Sequence, residues 1–148
     1  SVGVDIKRRS PSNPNWNVEF DDVIDVSGSV IDMGVDYLVV NCDFIDYGCD
    51  LNEVIEVIKQ VKGVNKKRKI SRENEDPKSS SYSSPTKNKD LTIIYKDLII
   101  NPLQLSLAKE IGCDAIILQA CILGHTNLID FLNICTLIDD ALLVLVLL

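Results

Sequence analysis

Apolar positions recur along this chain with two alternating periods. Val2, Val4 and Ile6 alternate with Gly3, Asp5 and Lys7, the two-residue period of a short strand. A polar, turn-rich segment follows, Ser10-Pro11-Ser12-Asn13-Pro14-Asn15. Residues from about Asp21 to Met33 read as a helix, with Gly34 at its C′ position. Tyr37-Leu38-Val39-Val40 is a continuous apolar run, as in a buried parallel strand. Asp50 and Glu53 then suit a capping box, and Leu51, Val54, Ile55 and Ile58 form the stripe of an amphipathic helix. Thr92–Tyr95 is a third strand. Asn101-Pro102 opens a helix that ends at Gly112, with Asn as N-cap and Pro at the first helical position. Ala115–Leu118 is a fourth strand, Thr126 caps a helix with Leu128, Phe131, Leu132 and Cys135 on one face, and Leu142–Val146 is a fifth strand.

The order βαβαβαβαβ predicts an α/β fold with a parallel sheet and helical crossovers. Two architectures share it, a doubly wound open sheet and part of a (β/α)8 TIM barrel. A complete barrel takes about 200–250 residues. Five strands in 148 residues would make it incomplete, about five of eight strands. Residues 65–90 interrupt the order. They are rich in Lys, Ser, Asn and Glu, nearly free of apolar side chains, and hold two prolines. A disordered, low-complexity basic insertion in one domain spanning 1–148 is expected.

Charge changes the picture of that insertion. The chain carries 22 acidic and 15 basic residues, net −7. Residues 65–90 hold eight Lys/Arg and four acids, net +4, which leaves seven basic and 18 acidic groups elsewhere, net −11. The acidic total argues against a general nucleic-acid binder, and no nucleic-acid partner is expected. The run Lys66-Lys67-Arg68-Lys69 reads as a solvated loop, with a nuclear signal or a nucleic-acid patch as the alternative.

Five cysteines (Cys42, Cys49, Cys113, Cys121, Cys135) and a single histidine give no C-x-x-C and no zinc spacing. Reduced, mostly buried thiols are expected, with neither metal nor cofactor, in an intracellular, soluble protein. No run of about 18 uncharged apolar residues is present, so no membrane-spanning helix is expected. The apolar tail Ala141–Leu148 is too short to span. The first residues read as neither signal nor transit peptide.

In parallel α/β folds, ligands bind at the C-terminal ends of the strands. Strand one ends in Asp5-Ile6-Lys7, which sets Asp5 and Lys7 on the same face, and strand three ends in Lys96-Asp97. Lysines there could hold an anionic substrate and donate a proton. The alternative is a pair of structural salt bridges, Lys7–Asp5 and Lys96–Asp97. His125, just before Thr126, reads as a surface loop residue. No phosphate loop, dinucleotide fingerprint or nucleophile elbow is present in the sequence.

Three segments carry a resemblance. Ile6-Lys7-Arg8-Arg9-Ser10-Pro11-Ser12 resembles the E-[IVY]-K-[RK]-x-S-P-S signature of indole-3-glycerol phosphate synthase. Tyr95-Lys96-Asp97-Leu98-Ile99-Ile100-Asn101-Pro102-Leu103-Gln104 is similar to that family's K-[DE]-F-I-[IV]-D-x-x-Q, and Gly112-Cys113-Asp114-Ala115-Ile116-Ile117-Leu118 to its G-A-D-A-[IV]-L-L. Leu123–Val146 is similar, without a gap, to the plant-type sequence. The resemblance implies a TIM barrel of tryptophan biosynthesis. Its lyase activity closes the indole ring of carboxyphenylamino-deoxyribulose phosphate, a phosphorylated anionic small molecule, with loss of CO2 and water. It implies Lys96 as the general acid, Lys7 as the lysine that holds the substrate carboxylate, and Asp5 in the place of a catalytic glutamate. It further implies Ser10 as a substrate contact, Leu98 in place of a Phe that packs on the aromatic ring, and Tyr47-Gly48 as a loose match to the F-x-G of the strand-two loop.

The departures are also specific. The family's fifth-strand general-base Glu falls on Leu145, and Pro14 displaces a glycine. Strands six to eight, which carry the phosphate site, have no counterpart, nor does the N-terminal helix that closes the barrel. The chain alone is therefore expected to be inactive, a truncated or degenerate member or a non-catalytic half-barrel scaffold, with association through exposed strand edges. A cytoplasmic or plastid location is implied.

Overall fold

The computed structural model describes residues 1–13, 15, 17–74, 89–138 and 142–148. Five strands alternate with four helices: β1 Gly3–Ile6, α1 Val23–Asp32, β2 Tyr37–Asn41, α2 Leu51–Glu73, β3 Thr92–Lys96, α3 Pro102–Ile111, β4 Ala115–Gln119, α4 Ala120–Ile138 and β5 Leu143–Leu147. All strand pairs are parallel, in the order β1-β2-β3-β4-β5. The order has no switch point where a doubly wound sheet would reverse.

The caps read at Asp50, Asn101 and Gly112 act where expected, and Asp22 adds one at α1. Asp22 accepts from the Ile24 N–H to start α1. Asp50 and Glu53 form a reciprocal capping box on α2, and Asn101 and Gln104 form another on α3 behind Pro102. Gly112 ends α3 at φ +95°, a left-handed backbone that L side chains rarely adopt, and a Cβ there would strike the Lys62 side chain.

One sheet face carries the core. Ile6, Leu38, Val40, Ile93, Tyr95, Ile116 and Leu118 point to the helices and meet Val30, Val57, Val61, Leu105, Phe131 and Cys135. Each fully buried Leu or Ile there contributes about 1.5–3 kcal/mol relative to exposure. The alternate strand residues face the other way. Val39, Ile94, Ala115 and Ile117 form a second small cluster with Tyr37. With Thr92, Leu143 and Leu145 they line a concavity of about 530 Å³ made of strand and loop residues.

Two elements differ from expectation. Residues 65–73 are not disordered: α2 runs on to Glu73, capped by Asn74. Lys and Arg are good helix formers, and side chains tie this extension to the approach of β3. Asn65 accepts from the Leu91 N–H (2.8 Å) and donates to its carbonyl (2.9 Å). Arg68 donates to the Lys89 carbonyl at 2.8 Å and Arg72 pairs with Asp90 at 2.5 Å. The remainder of the expected insertion, 75–88, lies outside the described residues, as do Pro14 and Ala141.

The second difference is α4. A short turn, Ala120–Leu123, precedes a break at Gly124 (φ 68°, ψ 172°), and the helix expected from Thr126 runs on beyond that break to Ile138, with His125 exposed at its start. Taken across that break, Ala120–Ile138 is long and apolar enough to cross a membrane by length and composition alone, although it contains Asp130 and is not one continuous helix. In this fold it is the crossover between β4 and β5, with Leu123, Phe131 and Cys135 buried.

Asn65→Ala should lower the unfolding free energy by about 1–3 kcal/mol, the cost of leaving a buried backbone N–H without its partner. Urea unfolding followed by circular dichroism reads this directly. An unchanged midpoint would mean that the helix extension is not held by that pair.

Candidate active site

Strand register builds the site. Asn41, Lys96, Ile117 and Leu145 stand level with one another across β2, β3, β4 and β5. Asp5 lies one step lower on β1, opposite Val39, and Lys7 follows two residues on. The period of two therefore brings Asp5, Lys7, Asn41 and Lys96 to one end of the helix-free face.

The carboxylate of Asp5 is the hub. Its Oδ2 takes Lys7 Nζ at 3.0 Å and Lys96 Nζ at 3.1 Å. Its Oδ1 accepts from the carboxamide of Asn41, which also donates to the Ile6 carbonyl at 2.8 Å. Burial pushes the Asp5 pKa up. The hydrogen bonds from Asn41 and Lys7, with the charge and hydrogen bond of Lys96, outweigh that and hold the carboxyl below its ordinary value. The ammonium of Lys96 also lies 4.8 Å from the centroid of the buried Tyr47 ring, close enough for a cation–π contact.

Sequence reasoning placed Asp5, Lys7 and Lys96 together, and they meet. Asp5, rather than Asp97, pairs with Lys96. Asp97 turns away to accept from the Tyr95 hydroxyl (2.9 Å) and from Gln104 (2.9 Å), which ties the end of β3 to α3. Ser10 lies in the loop after β1, with its hydroxyl 2.9 Å from that of Ser12. Leu98 is half-buried in the loop after β3. Neither has a contact with the Asp5 cluster among the described interactions.

Two residues were missed. Asn41 is 1 % exposed, and its Oδ1 has no hydrogen-bond partner among the described residues. It lines a void of about 10 Å³ with Ile6, Cys49 and Val57, close to the room one water needs. The available signal was its place, a polar residue closing the apolar run from Tyr37. Arg8 was read only as part of a motif. It points away from Lys7 and forks onto Glu53 at 2.6 and 3.0 Å, donates to the Gly48 carbonyl at 2.8 Å, and stacks 4.1 Å over Phe20. Gly48, at φ +75°, allows the β2 loop to come this close, since a Cβ there would sit 3.0 Å from Arg8 Cβ. The Tyr47 carbonyl takes both the Arg8 and the Arg9 N–H. The β2 loop is thus pinned over the end of β1, which holds the Tyr47 ring beside Lys96.

Cys42 and Cys49 lie on the same loop. Burial pushes both thiols up, which disfavours nucleophilic use. The chemistry the cluster supports is that of two fixed ammonium groups around one carboxylate: binding an anion and passing a proton. No protein-family model matches the chain, and no curated protein sequence matches it.

Because the folded Asp5 carboxyl titrates below its unfolded value, it contributes stability that is complete above about pH 4 and is lost as pH falls through the lowered folded pKa. Asp5→Asn should flatten the acid limb of the stability curve in that window. In Asn41→Leu the Asp5 carboxyl should titrate at higher pH by carbon-13 NMR. A titration unchanged from wild type would remove Asn41 from this role.

Proposed function

We propose that the chain is a (β/α)-barrel-type domain of the indole-3-glycerol phosphate synthase kind, a carboxy-lyase of tryptophan biosynthesis. The observation that carries the reading is the convergence of Lys7 and Lys96 on one carboxylate at the C-terminal ends of their strands. Sequential strand order with the helices packed against one face supports a barrel-type arc. The reaction loses a carboxylate as CO2 and a hydroxyl as water from a substrate that also bears phosphate. Lys7 would hold the substrate carboxylate. Lys96 would protonate the oxygen that leaves, in a setting where Asp5 fixes both ammonium groups. The Tyr47 ring, Leu98 and Ile117 offer apolar contact to an aromatic ring, and Ser10 a polar one. A soluble anionic substrate of this kind fits the cytoplasm or a plastid.

Leu145 favours a second reading. It stands in register with Ile117 on the level of Lys96, where the resemblance calls for a general base. Leu143 and Leu147 are exposed on the edge strand β5. A non-catalytic half-barrel that associates through that edge accounts for both features.

The test separates binding from turnover. The chain should bind carboxyphenylamino-deoxyribulose phosphate saturably while forming no indole-glycerol phosphate by fluorescence assay. Lys7→Ala and Lys96→Ala should each weaken binding about 10-fold or more, as loss of a charge-assisted contact does. In any catalytically active form of the protein, Lys96→Ala should lower kcat about 100-fold or more. Absence of saturable binding would leave only the scaffold.

A further inference from the structure

The basic segment of the chain is ordered helix, and its cations are sorted by face. Between Val57 and Arg72, α2 carries seven Lys/Arg (Lys59, Lys62, Lys66, Lys67, Arg68, Lys69, Arg72) and no acid. The two arginines turn inward to Lys89 and Asp90. Lys59, Lys62, Lys66 and Lys69 follow spacings of three, four and three, which puts them on one helical face. All four are exposed, and none has an ion-pair partner among the described residues, although the Lys62 ammonium leans over Gly112 at the end of α3. Glu73 closes the face.

We propose that this lysine face is a docking surface for the phosphate backbone of duplex nucleic acid. The four lysines span ten residue steps, about 15 Å along the helix axis. Phosphates along one duplex strand recur about every 3.4 Å of axis, so the face meets about four of them. The helix is preorganised by Asn65, Arg68 and Arg72, so its charges are presented on a rigid rod. Base readout needs side chains that hydrogen-bond base edges, and single strands need stacking aromatics. The face carries no aromatic, and its lysines could read only guanine among base edges, which selects a duplex bound mainly through its backbone. The acidic body of the protein opposes binding at long range, but at physiological salt its field is screened beyond about 8 Å. This surface is independent of the lyase reading.

The test is fluorescence anisotropy of a labelled random-sequence DNA duplex with the full chain across a salt series. With about four phosphates neutralised, the slope of log K against log salt should be about −3.6, a loss of about 100-fold between about 50 and about 200 mM. Replacing Lys59, Lys62, Lys66 and Lys69 together by Gln should abolish binding while the circular dichroism spectrum is retained. Lys67→Gln, off the face, should change affinity less than Lys66→Gln. If the fourfold variant unfolds, that comparison of single variants decides. No binding at about 50 mM salt, or equal loss in both single variants, overturns the proposal. So does binding to phosphatidylserine vesicles without binding to duplex, which would make the face a membrane-surface contact. Salt-sensitive self-association without duplex binding overturns it in favour of pairing with the acidic body of a second copy.

Discussion

Everything at the functional end of this protein depends on one carboxylate that is shared. Lys7 and Lys96 come from strands that are not neighbours, since β2 lies between them. Like charges brought together on a partly buried surface repel, and the repulsion is stronger where water is thin. Asp5 resolves this by taking both ammonium groups on one oxygen, while Asn41, from the intervening strand, takes the other. Three strands are thereby tied at their C-terminal ends by side chains as well as by the backbone ladder. The cluster of two lysines and one aspartate keeps a net positive charge inside a strongly acidic body.

The neighbouring motif residue shows how the pleat divides labour. Lys7 goes to the helix-free side and Arg8 to the helix side, where its fork on Glu53 joins the end of β1 to the first turn of α2. Glu53 is also half of the capping box that starts α2. A single carboxylate therefore sets the helix start, receives the guanidinium and helps keep the β2 loop over β1. Burial and Asp114 push the Cys113 thiol up to about 12, and Cys135 is raised by burial as well. These thiols act as small apolar groups of the core.

The strands, the Asp50–Glu53 capping box, the Asn101 cap and the Asp5–Lys7 pairing were legible in the sequence, because each rests on contacts within a few residues or on a simple period. What was not legible depends on partners far along the chain. Residues 65–73 hold a single apolar side chain, Ile70, so composition alone gives a loop. Their order comes from Asn65, Arg68 and Arg72 meeting residues 89–91, a long way on in sequence. Asn41 looked like the polar end of an apolar strand until register set it beside Asp5. The pairing of Lys96 with Asp5 rather than Asp97 follows the same logic, since Asp97 is claimed by Tyr95 and Gln104. Gly124 interrupts a helix whose apolar pattern alone would have placed the start after it.

The helix-free face is uneven from strand to strand. On β1–β3 its upper level is Lys7, Asn41 and Lys96; on β4–β5 the same level is Ile117 and Leu145. Charge at that level is confined to one side of the arc, and the other side continues the apolar lining of Ile94, Ala115 and Leu143 below it. A ligand seated there meets fixed positive charge at one end and apolar surface at the other. An acid–base pair across the site would need a second ionisable group on β4 or β5, and Leu145 denies it on β5. The lysines can still bind and orient an anion, because that task needs only their charge and the rigidity Asp5 and Asn41 supply. Proton removal from the far side of the ligand needs a base, and the level of Lys96 provides none on those two strands. The arrangement thus keeps the fixed charge that holding an anion requires, while β4 and β5 offer no base level with Lys96.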